Sequence, residues 1–385
     1  EQTIEGLTRD YFVVEYAAED KLFVPVEHTD RLSRYLGSPH PPVERLHAAN
    51  WFQITKKIKL ETAVLAQELL KIYAKRQASK IKPWQHFPEE ELLAASFPHA
   101  LTPDQLKAWA EISTDLDSII PMDRLVCGDV GFGKTELAVR AAFRAVLNQQ
   151  QVAILAPTTI LAQQHLDTFR DRLQSLGVQV GLVSRAQTIK EIKSTLVKLA
   201  SGDMNIIIGT HRLLARDVHF KNLGLLIIDE EQRFGVKQKE ELKALKPALH
   251  VLSLSATPIP RTLNLAVSSI RDLSIVATPP LGRQPIITEF CAPNNDTIKT
   301  AVTRELERNG QVYYLVPHIA DLPATQDKLK KILPKIKLGI LHGRLNTAEV
   351  TRVMHAFDER ELDILLATSI IENGLDMPNV NTLIV

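Results

Sequence analysis

The stretch Leu125-Val126-Cys127-Gly128-Asp129-Val130-Gly131-Phe132-Gly133-Lys134-Thr135 places an apolar run directly before the full pattern G-x-x-x-x-G-K-[ST], and a helical run follows from Glu136. Glycines at 128, 131 and 133 let the backbone turn, so that successive N–H groups and the start of the next helix face the β- and γ-phosphates of a nucleotide. Asp129, Val130 and Phe132 complete the loop around those phosphates. Lys134 adds a point charge there, and the Thr135 hydroxyl suits magnesium, which takes oxygen ligands in near-octahedral geometry and keeps several waters. Strand, glycine loop and helix in that order predict a parallel sheet covered by helices.

Downstream, Asp229-Glu230-Glu231-Gln232 ends the apolar run Leu225 to Ile228, where a carboxylate emerges beside a phosphate loop. Asp229 is the expected magnesium partner, directly or through water. Glu230 is placed to orient and deprotonate an attacking water, with Gln232 grouped beside it as a catalytic residue, because phosphoryl transfer asks the protein mainly for positioning and electrostatics. ATP and Mg2+ are the cofactors these motifs predict. Upstream, Phe97 and the run Thr102-Pro103-Asp104-Gln105 carry two readings. Thr102 and Gln105 have capping-box spacing with Pro103 at the first helical position. Equally, Phe97 suits stacking on a base and the Gln105 amide suits the N6/N7 edge of adenine. The two roles are compatible.

Working outward, the runs RLVC, VAILAP, NIIIGT, LGLLIID and HVLSLSAT alternate with helical stretches, and QVYYLVP, KLGILHG, DILLAT and NTLIV repeat the alternation after Pro279-Pro280 and Gly282. The fold class expected is α/β, with two tandem parallel-sheet domains. With 385 residues, two or three domains are anticipated. Before the first sheet, Arg9 to Val26 reads as a hairpin about Ala18-Glu19-Asp20-Lys21, part of a small β-barrel. Residues 51 to 79 then space apolar side chains as one amphipathic helix. Lys plus Arg (46) and Asp plus Glu (45) nearly cancel, so a nucleic-acid surface has to be a local patch. Cys127 and Cys291 have no metal-ligand spacing, which argues against zinc and disulfides and fits a reducing cytoplasm. No apolar run reaches the ~20 residues that span a bilayer, so no membrane role is expected.

Three loops after strands carry hydroxyls and selected cations: Pro157-Thr158-Thr159, Thr210-His211-Arg212 and Ser255-Ala256-Thr257-Pro258. Such groups suit phosphate oxygens without reading bases, though each loop alone also reads as a helix cap. Their order follows that of superfamily 2 helicases and translocases. The stretches MDRLVCGDVGFGKTE, APTTILAQQH, GTHRLL, LLIIDEEQRFGVKQKE and SATPIPRTLN resemble the bacterial transcription-repair coupling factors (Mfd), and secondarily the fork-remodelling RecG translocases. RDYFVVEYAAEDKLFVPVEHTDRLSRYLG at the start resembles the end of the coupling factors' RNA-polymerase-interacting domain, which favours that group.

The resemblance implies a double-stranded DNA translocase that pushes on stalled RNA polymerase, through the polymerase β subunit, and that meets UvrA through a region absent from this sequence. It divides the chain into residues 1–50 (partial polymerase-interacting barrel), 51–90 (linking helix), 91–275 (first RecA-like domain) and 285–385 (second RecA-like domain, incomplete). It further implies that His342 and Arg344, and Thr368 and Ser369, contact the nucleic-acid backbone, as do the loops at 157–159 and 210–212, while Gly374 and Asp376 sense nucleotide. Arg233 and Arg261 sit where coupling residues are expected, and Ile4, on a strand around Thr3 to Leu7, is a candidate partner contact. Both ends read as cut. Motif VI with its arginine finger should follow Val385, so the chain is expected to bind ATP and turn it over poorly.

Overall fold

The computed structural model describes residues 2–4, 7–15, 20–26, 76, 78–184, 187–234, 248–256, 271–283, 286–291, 294–368, 377 and 379–385. The chain divides into two units, residues 1–71 and 72–385. In the first, β1 (Gln2–Ile4) pairs antiparallel with β2 (Leu7–Arg9), Ile4 opposite Leu7. Two short strands thus stand where the sequence suggested a single one around Thr3 to Leu7. Next, β3 (Tyr11–Glu15) pairs antiparallel with β4 (Lys21–Pro25), as the alternation around the polar turn predicted. The linking helix over residues 51–75 and the rest of the barrel segment lie outside the described residues, as do Thr257, Pro258, Arg261, Ser369, Gly374 and Asp376.

The second unit opens with helices α1 (Glu89–Ala95) and α2 (Pro103–Leu116), then alternates β5 (Asp123–Gly128), α3 (Lys134–Leu147), β6 (Gln151–Leu155), α4 (Thr159–Leu173), β7 (Val180–Val183), α5 (Ile189–Ser201), β8 (Ile206–Gly209), β9 (Leu223–Ile228), β10 (His250–Ser255) and β11 (Asp272–Val276). The seven strands from β5 onward form one parallel sheet in the order β11-β5-β10-β9-β6-β8-β7. Every residue of β5, β6, β8 and β10 is buried, as parallel strands covered on both faces require. Successive side chains serve opposite faces: Val152 and Ile154 enter one apolar cluster, Ala153 and Leu155 the other.

A second α/β layer follows: α6 (Asn295–Glu307), β12 (Gln311–Leu315), α7 (Leu322–Ile332), β13 (Leu338–Leu341), α8 (Thr347–Asp358), β14 (Ile364–Ala367) and β15 (Val380–Ile384). Its four strands are parallel, in the order β13-β14-β12-β15. The α/β class with two parallel sheets is thus the observed architecture. Because the strands of each sheet run the same way, the loops that leave their C-terminal ends gather along one edge, where open α/β sheets bind ligands.

One charged side chain ties the first three helices together. Arg144 of α3 is 2% exposed, and its Nε and Nη2 donate to Glu90 Oε2 of α1 at 2.8 and 2.6 Å. Its Nη1 donates to Ser113 Oγ of α2 at 2.7 Å, and the guanidinium lies 5.1 Å over the Trp109 ring. Replacing Arg144 by Ala strands the Glu90 carboxylate against α3. We expect a loss of about 3–5 kcal/mol, the usual cost of removing one partner from a buried pair, read from urea unfolding.

Candidate nucleotide site

The loop between β5 and α3 is shaped by three positions without side chains. A Cβ on Gly128 would lie 2.9 Å from the Val276 carbonyl oxygen, so only glycine lets β5 end this close to β11. Gly131 and Gly133 have φ of 77° and 70°, the left-handed region that other residues enter at a cost. A Cβ on Gly133 would also lie 2.4 Å from Gln105 Nε2. Lys134, the first residue of α3, is 8% exposed and donates from Nζ to the carbonyls of Gly128 (2.6 Å) and Asp129 (2.9 Å). Burial pushes its pKa below the ordinary lysine value, against the pull of Asp229, Glu230 and Asp129. Thr135 follows on the same helical turn, half-buried.

Asp229 leaves the C-terminal end of β9, one strand away from β5 across β10. Both of its carboxylate oxygens are held. Oδ1 accepts the Glu230 N–H at 2.9 Å, and Oδ2 lies 2.6 Å from His165 Nε2 of α4. An ionised carboxylate only accepts, so His165 carries its proton on Nε2. Glu230 has φ of 49°, a strained value for a residue with a side chain, and such strain concentrates at functional sites. Gln232 Nε2 donates to Glu230 Oε2, while Ser255 Oγ at the end of β10 donates to Gln232 Oε1 at 3.1 Å. Burial first, and the Asp229 charge second, raise the Glu230 pKa above the ordinary glutamate value. Arg271 braces the neighbouring Glu231 at 2.7 Å and reaches Asp123 at 2.6 Å.

No group of three or more His, Cys, Asp or Glu gathers among the described residues, so they hold no self-sufficient metal cage. The donors on offer are a hydroxyl, Thr135, and a carboxylate, Asp229. Such hard oxygens fit magnesium, which takes one or two protein ligands and completes its shell with phosphates and water. On the side of the loop away from Asp229, the capping box is present: Thr102 N donates to Gln105 Oε1 at 2.8 Å, and Gln105 N to Thr102 Oγ1 at 3.3 Å. The amide does a second job, donating from Nε2 to the Phe132 carbonyl at 2.8 Å. Gln105 thereby joins the start of α2 to the phosphate loop. Phe97, half-buried, has His99 at its edge (5.6 Å between centroids) and the Arg172 guanidinium over its face at 5.2 Å.

Family profiles match three segments: DEAD/DEAH box helicase over residues 102–266, helicase conserved C-terminal domain over 294–385, and CarD-like/TRCF RID domain over 1–36. The transcription-repair-coupling factor of Bacillus subtilis (strain 168) is 46% identical over 387 residues, which is 99% of this chain and 33% of that protein. The chain belongs to the transcription-repair-coupling factor family. It spans about a third of the length of the curated relatives it matches. Among solved structures, RecG bound to a three-way DNA junction superposes with a TM-score of 0.68 at 34% identity, covering 89% of this chain and 46% of that one. DEAD-box helicase Mss116, bound to single-stranded RNA and UDP-BeF, shares the fold at 20% identity and a TM-score of 0.59, over 76% of this chain and 65% of its own.

The nucleic-acid candidates sit on strand ends, in varied states. Thr158 caps α4, accepting from Leu161 N at 3.2 Å, and Ile160 packs against the apolar cluster around Leu341 and Phe357 of the second sheet. Thr210 follows β8, His211 lies against Phe234 (5.4 Å), and Arg212 forms a two-pronged pair with Asp217 at 2.6 and 2.5 Å. His342 follows β13, with Arg344 exposed beside it. Thr368 is buried at the end of β14, its N–H donating to the Leu341 carbonyl at 3.2 Å.

Two site residues escaped the sequence reading. His165 lies in the run APTTILAQQH but gives no one-dimensional sign of meeting Asp229, 64 residues on. Arg283 donates to Asp129 Oδ2 at 3.0 Å and lies 4.6 Å over the Phe132 ring, so the segment after β11 touches the phosphate loop twice. Their only sequence signal is charge type. Gly133→Ala tests the loop geometry: with a strained φ and a Cβ inside the Gln105 amide, the variant should fold with an unchanged circular dichroism spectrum yet lose nucleotide binding by at least about tenfold in calorimetry.

Proposed function

We propose that the chain works in an ATP-dependent double-stranded DNA translocase that displaces stalled RNA polymerase and couples transcription to nucleotide excision repair. The observation that carries the reading is the pairing of a glycine-turned loop and buried Lys134 with a fixed Asp229 and an adjacent Glu230 on one sheet edge. The loop N–H groups and Lys134 would hold the phosphates. Thr135 and Asp229 would hold magnesium, which would supply charge neutralisation of the phosphates. Glu230 would take the proton of the attacking water, with Gln232 fixing its carboxylate and relaying its position to Ser255. Phe97 and Gln105 would contact adenine.

Binding of double-stranded DNA is proposed at the strand-end loops: Pro157 to Thr159, Thr210 to Arg212, His342, Arg344, and Thr368 with Ser369. Gly374 and Asp376 are proposed nucleotide sensors. The match of residues 1–36 to the TRCF RID profile supports RNA polymerase as partner, with Ile4 proposed at that contact. The structural likeness to RecG supports a second reading, remodelling of branched DNA. Preference for a polymerase halted on DNA over a three-way junction separates the two.

Two measurements test the chemistry and the grip. Glu230→Gln should leave ATP binding within about twofold of the parent and cut any DNA-stimulated hydrolysis by about 10²–10⁴, the range a general base supplies. In the parent, the carboxyl pKa is raised, so hydrolysis should fall with decreasing pH through a midpoint above the ordinary glutamate value of 4.5. A chain that takes up no nucleotide in calorimetry sinks the proposal. DNA affinity should be indifferent to sequence and drop by at least about tenfold between roughly 50 and 200 mM salt, because the contacts are to phosphates. A flat salt response speaks for another kind of surface.

A further inference from the structure

Helix α4 starts at the loop that carries Thr158 and Thr159, and its inner face runs along the nucleotide machinery. At residue 165 it meets Asp229, His165 Nε2 to Oδ2 at 2.6 Å, with the two residues 6% and 9% exposed. Two turns on, Arg172 donates from Nη2 to Glu136 Oε1 at 3.1 Å, two residues beyond Lys134, and covers the Phe97 ring. Positions seven apart lie on one helical face, so a single rigid element touches the metal carboxylate, the phosphate-loop helix and the aromatic ring.

We propose that His165 is a positioning residue that fixes the Asp229 carboxylate for the magnesium arriving with nucleotide; this rests on the nucleotide-site reading above. A carboxylate on a strand end is free to rotate about its last bond. Here the Glu230 N–H holds Oδ1 and the imidazole N–H holds Oδ2, so the plane is set and the remaining lone pairs point one way. The contact is shielded from solvent. Partners of this kind, standing behind a metal ligand, typically change metal affinity about 10–100-fold when lost.

The test titrates magnesium against binding of a fluorescent ADP analogue to the whole chain. For His165→Ala, and for His165→Asn, whose amide is too short to reach, the half-saturating magnesium concentration should rise about 10–100-fold. Binding in EDTA should stay at the parent value, while the melting temperature should fall, as the loss of a buried hydrogen-bond partner requires. His165→Gln, which keeps an N–H donor at similar reach, should recover most of the shift. Thr168→Ala, exposed on the same helix, should show none. A magnesium midpoint within about twofold of the parent in both His165→Ala and His165→Asn overturns the proposal, as does an equal loss of nucleotide with and without magnesium. Failure of the parent to bind the analogue at any magnesium concentration overturns the nucleotide-site reading itself, a result the variants do not mimic.

Discussion

A lysine ammonium held out of water at the end of a parallel sheet is the constraint around which this molecule is arranged. Lys134 has lost most of its hydration and receives in return two backbone carbonyls and the fields of Asp229 and Glu230. A lone cation so placed costs several kcal/mol; the carboxylates across β10 offset it. The balance favours a ligand of high negative charge, because phosphate oxygens compete for the ammonium more strongly than neutral carbonyls do. The strained φ of Glu230 lies beside the same carboxylates.

What delivers these groups to one place is the sheet order. β5 and β9 flank β10, so the phosphate loop, the Asp229 turn and Ser255 emerge side by side although 127 residues separate Gly128 from Ser255. The Gln232 amide spans the gap, joining the Glu230 carboxylate to the Ser255 hydroxyl, and Arg271 braces Glu231 from below. Movement of the β10 end would therefore be felt by Glu230 through one amide. The ends of the helices are fixed by similar means: Gln105 closes the cap of α2 and holds the Phe132 carbonyl with the same side chain.

Much of this was legible beforehand, for reasons that can be named. The phosphate loop could be read because its glycines answer to backbone geometry that no other residue supplies, and because a strand and a helix must flank it. The alternating apolar runs gave both sheets, since strands buried on two faces have few compositional options. At Thr102 and Gln105 the cap is present as read, whereas the amide's bond to the Phe132 carbonyl left no sign in the sequence. His165 and Arg283 were invisible because a single titratable residue in a helix or a loop says nothing about its partner across the fold. The N-terminal pair β1–β2 was read as one strand because strands of three residues leave little trace in hydrophobic spacing.

The DNA-facing candidates differ in how ready they are. Arg344 is exposed, whereas Arg212 is tied by two hydrogen bonds to Asp217 and Thr158 has its hydroxyl committed to Leu161 N. A phosphate reaching Arg212 must displace a carboxylate of equal sign, an exchange of one charge-assisted pair for another in partly solvated surroundings, so the net gain is small. Grip on a backbone would then rest on many weak exchanges rather than a few strong anchors. Such a surface releases and rebinds readily, which is the property the proposed translocation requires. Helix α4, which begins at the proposed DNA contact Thr158, carries His165 to the Asp229 carboxylate within two turns and so links the two proposed sites through one element.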